Sequence, residues 1–106
     1  MSDAIGAARA RVTLEAPTRV ADEIGGAAIL WVSQGDVWAA IEARGVSEAP
    51  AQDGLASTAA FRAMIHRRDD VRAGWRLVWG ERVLRIVGVA NDGGRRIQLS
   101  CEEERL

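Results

Sequence analysis

Trp75-Arg76-Leu77-Val78-Trp79-Gly80-Glu81-Arg82-Val83-Leu84-Arg85-Ile86-Val87-Gly88-Val89-Ala90 is two apolar runs joined by a Gly-Glu pair. A two-residue connection between such runs signals a hairpin, and glycine at its first position suits a type II′ turn. Asn91-Asp92-Gly93-Gly94 is a second tight connection and leads into Arg95 to Glu102. There Ile97, Leu99 and Cys101 alternate with Gln98, Ser100 and Glu102. Alternation with a period of two puts the apolar set on one face of a strand. The last third of the chain therefore reads as three consecutive antiparallel strands.

Towards the N-terminus the same period returns. Val12, Leu14 and Ala16 oppose Arg11, Thr13 and Glu15, a half-buried strand that Pro17 is expected to end. Asp22 to Gly26 supplies turn residues. Two further short strands are expected, Ala28 to Ser33 and Val37 to Ala43, separated by Gln34-Gly35-Asp36. Leu55 to Arg68 fits two patterns. Phe61 and Ile65 have helical spacing, while Phe61, Ala63 and Ile65 alternate with Arg62, Met64 and His66 as in a strand. The fold class is mostly β: a small antiparallel β-barrel or sandwich with a long loop between early strands.

That loop is the segment Gly45 to Ser57, which is small, polar and contains Gly45, Glu48, Pro50, Asp53 and Gly54. A connection of about a dozen residues exceeds the usual 4–6 and is often functional.

With 106 residues, 48% of them hydrophobic, residues 1–106 are expected to form one domain around one core. Fourteen basic residues face fifteen acidic ones for a net charge of -1. Non-specific nucleic-acid affinity comes from phosphate neutralisation, so this balance argues against a general polyanion binder. No apolar run reaches the roughly 18 residues of a membrane span, and the first ten residues do not read as a signal peptide. All fourteen basic residues are Arg, which a GC-rich genome would produce. Arg is also favoured at protein interfaces.

The candidates for chemistry are few. His66 is the lone histidine, set before Arg67-Arg68, and reads as a surface residue. Cys101 is the lone cysteine, on the apolar side of its strand and followed by glutamates that oppose a thiolate. Asp69-Asp70 reads as a turn, because neighbouring side chains in extended chain point to opposite sides. No catalytic residue, cofactor site or metal site is expected, and the protein is read as a non-enzyme. Glu102-Glu103-Glu104 either solvates a terminus or meets an Arg-bearing neighbour. Of the four tryptophans, Trp75 and Trp79 share a strand face, and Trp38 lies off the apolar side of Val37, Ala39 and Ile41. Each is read as core packing or as an interface anchor. Exposed rings on a small barrel could also stack single-stranded bases.

The order of these pieces resembles the tailed-phage head–tail joining proteins, also called head closure or stopper proteins, with their counterparts in gene transfer agents. The resemblance spans about Arg9 to Glu103. It rests on Arg9-Ala10-Arg11-Val12-Thr13-Leu14, Asp22-Glu23-Ile24-Gly25-Gly26, Trp31, Val37-Trp38-Ala39-Ala40-Ile41, the run Gly74 to Val89 and the closing Leu99-Ser100-Cys101-Glu102-Glu103. It implies a β-barrel subunit of a ring, usually hexameric, at the neck of a particle assembled in the bacterial cytoplasm. A portal-bound adaptor ring would lie above it and a tail terminator or tail tube below, with double-stranded DNA passing through unbound and no membrane involved. It also implies that Phe61 to Arg67 is a strand and that Gly45 to Ser57 projects into the channel as a gate. Ala51 to Ala60 departs from the family in being Ala- and Gly-rich. Trp38, Arg76, Arg82, Arg85, Glu102 and Glu103 are the residues expected at subunit or partner contacts. Two alternatives remain at this point: another ring of the same neck, terminator or adaptor, and a single-stranded nucleic-acid-binding barrel.

Overall fold

A computed structural model describes residues 8–51 and 54–105. Six strands follow in chain order: β1 Ala8–Ala21, β2 Ala27–Ala51, β3 Gly54–His66, β4 Arg76–Trp79, β5 Arg82–Ala90 and β6 Arg96–Arg105. All neighbours are antiparallel, and the sheet closes into a barrel of order β1-β2-β3-β6-β5-β4. Hairpins join β1 to β2, β2 to β3, β4 to β5 and β5 to β6. The β3–β6 and β1–β4 pairs close the ring.

Alternation fills the inside. Val12 and Leu14 of β1, Ala39 and Ile41 of β2, and Phe61, Ala63 and Ile65 of β3 are buried. They meet Leu77 of β4, Leu84 and Ile86 of β5, and Ile97, Leu99 and Cys101 of β6. Val71 and Trp75 add to this core from the β3–β4 connection. Two backbone hydrogen bonds tie that connection to β5: Gly74 N–H donates to the Ile86 carbonyl and Ile86 N–H donates to the Trp75 carbonyl, each at 2.9 Å. Among the described residues no polar or charged side chain is buried.

The β4–β5 hairpin has the expected two-residue turn, with Trp79 opposite Arg82 and Gly80 at φ +62°. A type I′ turn would also need positive φ at Glu81, which is absent, so the type II′ expectation is met. The helix-or-strand ambiguity resolves to strand: Phe61, Ala63 and Ile65 face inward between β2 and β6.

Three local expectations are corrected. Pro17 does not end β1, which continues to Ala21. The β1–β4 ladder stops at the Glu15–Arg76 pair, so Pro17 sits on an open edge, where proline is tolerated. The two runs Ala28 to Ser33 and Val37 to Ala43 are one strand. Thr13 pairs with Asp36 and Glu15 with Ser33, so Gln34 and Gly35 oppose Leu14 alone, a β-bulge with Gly35 at φ +108°. Finally, Gly45 to Ser57 is not a loop without structure of its own. It is the outer part of a β2–β3 hairpin, laddered from Gly45 opposite Ala60 to Ala51 opposite Gly54. Backbone pairing across a hairpin satisfies the same groups that water would satisfy in a loop; among the described residues β1 pairs with β2 as far as Ile41.

Because β2 outruns both partners, it carries a projection at each end. At its start, Ala27 to Val32 pairs with Ala16 to Ala21 as a two-stranded arm. At its end lies the β2–β3 ribbon, which β6 accompanies as far as the Ser57–Arg105 pair. The molecule is accordingly elongated, 54 × 34 × 25 Å.

Candidate functional site

Most charged residues occupy outward positions of the strands and are paired along the barrel wall, while Arg82 and Glu103 fall on the inward side of β5 and β6, in step with Leu84 and Cys101. Arg76 Nε donates to Glu15 Oε1 at 2.6 Å, tying β4 to β1, and its guanidinium lies 4.1 Å from the Trp31 ring. Arg82 holds Glu103 with two hydrogen bonds and stacks over Trp79 at 4.6 Å and Phe61 at 5.2 Å. Phe61 and Trp79 meet edge to face at 6.4 Å. Arg85 pairs with Glu102 at 3.0 Å on the open surface. Five of the six residues expected at partner contacts are thus engaged within the chain, and the acidic run at Glu102-Glu103 holds arginines of β5. Trp38, the sixth, is 57% exposed.

Hydrogen bonding from Arg62 holds the Glu42 carboxyl below its ordinary range, with a smaller contribution from Arg44. Asp70 is lowered chiefly by its hydrogen bonds from Arg68, whose other bond reaches the Gln34 carbonyl beside the bulge. The Asp69-Asp70 turn therefore carries local ion pairs, Arg67 to Asp69 and Arg68 to Asp70. Burial pushes the Cys101 thiol up to about 12, and His66 is exposed. Among the described residues no cluster of His, Cys, Asp and Glu has the make-up to hold a metal ion.

Trp38 stands at the rim of a groove of about 600 Å³ on the outer face of β1, β2, β3 and β6. Small Ala40 lies between Trp38 and Glu42 along β2, and the row Arg9–Ala40–Met64–Gln98 crosses its floor. Arg9, His66 and Arg96 border it, and neither arginine has a carboxylate partner among the described residues.

Of the channel residues expected at the second projection, Gly45 begins the ribbon at φ +144°, next to a register shift, while Glu48 pairs with Ser57 and Pro50 with Leu55 in the ladder. Gly54 opens β3, and Asp53 lies outside the described residues.

The surface that sequence reading missed is the β1–β2 arm. Val20, Ile24, Ile29, Leu30 and Val32 are all exposed there. The signal was present: Ile29 and Leu30 are adjacent, so a strand containing both has apolar side chains on both faces.

A closed barrel with paired charges along its wall and bare apolar side chains on a projecting arm is the build of an assembly subunit. The chain belongs to the phage head completion protein family, whose model matches residues 4–104, so it is a structural component of head completion. A chain of the virion of the native gene transfer agent particle is 27% identical and superposes with a TM-score of 0.76, covering 90% of this chain and 93% of that one. Protein SF1141 from Shigella flexneri 2a shares the fold, with 22% identity and a TM-score of 0.63 over 93% and 95% of the two chains. Among curated proteins, no relative matches the chain by sequence.

Proposed function

We propose that this protein is the head closure subunit of a phage or gene transfer agent particle. Copies form a ring, taken as hexameric, at the neck. The ring seals the DNA-filled head under the portal-bound adaptor and offers a docking face to the tail terminator or tail tube. Its work is mechanical, with no catalytic step.

The observation that carries this reading is the β2–β3 ribbon. From Gly45 opposite Ala60 it runs on past the core strands as a ladder to Ala51 opposite Gly54. Seven residues of extended chain, 45–51, span roughly 23 Å at about 3.3 Å each. Several such ribbons converging on an axis can constrict a passage of duplex width. With Glu48 on the ribbon and a net charge of -1, the lumen would not capture phosphates. Family membership and the likeness to a gene transfer agent virion chain support the placement in such a particle.

Replacing residues 47–57 by a two-residue turn shortens the ribbon and leaves the barrel intact. Particles carrying this variant are expected to assemble heads that lose their DNA, measured as the nuclease-protected fraction. Heads that stay full would overturn the gate. Imaging the neck tests the ring: density for this chain against the tail tube alone would favour a terminator instead.

A further inference from the structure

The β1–β2 arm has a bare apolar face. Ala16 packs against the core, and on the same side of the ribbon Val20, Leu30 and Val32 continue outward, exposed, with no strand over them among the described residues. At the tip Ile24 is 93% exposed. This exposure does not come from a loose turn. Asp22 Oδ1 accepts hydrogen bonds from Ile24 N–H at 2.9 Å and Gly26 N–H at 2.8 Å, and Asp22 N–H donates to the Gly26 carbonyl at 3.1 Å. The tip is therefore a built turn that presents an isoleucine beside Glu23, which has no partner among the described residues. Holding an apolar side chain in water by ordered hydrogen bonds lowers the ordering cost of a later contact.

The groove at Trp38 is its complement in charge and character. Its floor is Ala40 and Met64; Arg9, His66 and Arg96 stand around it, and the acidic Glu42 of its lining is taken up by Arg62. An acidic, apolar tip matches a cationic, apolar groove, and both lie on the same chain. They cannot meet within one copy. Ala27 at the root of the tip and Ala40 in the groove belong to one continuous strand, on the order of 40 Å apart along it.

We propose that the β1–β2 arm of one copy docks in the Trp38 groove of the next. Ile24 and Leu30 cover Ala40 and Met64, and Glu23 faces Arg9 and Arg96. The contact joins two different surfaces, so each copy gives an arm and receives one, and repetition closes a ring. The inference rests on the head closure reading and supplies the contact that builds its ring.

The test uses assembled particles carrying Ile24→Cys and Ala40→Cys together, both on the surface and away from the core. Mild oxidation is expected to give a ladder of species spaced by 11.4 kDa, with each single variant giving none. Neck imaging of the same particles separates the two readings. A ring with no 24–40 cross-link overturns the arm contact and leaves head closure standing, whereas particles with no ring of this chain overturn both. A cross-link from the arm to a different protein also overturns the contact. Charge reversal gives an independent arm. Glu23→Arg and Arg96→Glu are each expected to lower the yield of the ladder several-fold, and the two together to restore it; loss without rescue counts against the pairing. Quenching of the purified chain's fluorescence by an oligonucleotide at low salt, abolished by Trp38→Phe, would assign the groove to nucleic acid and overturn the proposal.

Discussion

Arg82 and Glu103 form a two-pronged ion pair, Nε to Oε2 at 2.9 Å and Nη2 to Oε1 at 2.7 Å. The pair joins β5 to β6 while the guanidinium lies on the faces of Trp79 and Phe61. Glu103→Gln is expected to destabilise the fold by about 1–3 kcal/mol, because a charged group in a half-covered position loses its charged partner. Arg82→Lys should lose part of the same amount, since an ammonium lacks the planar fork. Urea unfolding checks both: the midpoint falls while the slope stays constant.

Acid should loosen the β3–β4 connection and the outer wall of β2 and β3. Asp70 and Glu42 have carboxyl groups lowered below their ordinary range, by Arg68 and by Arg62. A lowered group stabilises the fold above its unfolded value, near pH 4, and that contribution disappears as pH falls through the lower folded value. Melting temperature is therefore expected to fall as pH drops below about 4, and Asp70→Asn should flatten part of that slope.

Cys101 is 2% exposed, with its thiol pushed up to about 12 by burial. Native protein at pH 8 is expected to resist a thiol reagent and to react fully once unfolded, because the thiolate is the reacting species. A colorimetric thiol assay with and without guanidinium reads this directly. The same inertness leaves introduced surface cysteines free to cross-link without interference.

Gly35 lies at φ +108°, in the bulge that lets β2 pass from the barrel wall into the arm. A Cβ there would meet nothing closer than Arg68 Nη1 at 3.9 Å, so conformation, not space, limits the site. Gly35→Ala is expected to cost about 1–3 kcal/mol through backbone strain. Thermal melting measures the loss, and an unshifted melt would mean the bulge relaxes at no cost.

Much of the barrel was legible from alternation. Leu77, Leu84, Ile97, Leu99 and Cys101 fall inside where a period of two places them, and Gly80-Glu81 turns as its residue types demand. Strand limits were less legible. Pro17 and Gln34-Gly35-Asp36 look like stops, and whether they stop a strand depends on whether another strand lies alongside. Trp38 was legible as an outward ring. The clustering of Arg9, His66 and Arg96 around it was not, because the three come from β1, β3 and β6.

By itself the sequence determined the β character, the three C-terminal strands and the apolar side of each, since side-chain alternation is a local property of extended chain. The tertiary structure alone decided three further matters: that β3 pairs with β6 and β1 with β4, that residues 45–51 ladder with 54–60 as a ribbon, and that the apolar face of the β1–β2 arm is left uncovered by the described residues. Each depends on which strand ends first beside its neighbour. That is set by closure of the barrel over residues far apart in the chain, and no window of local sequence contains it.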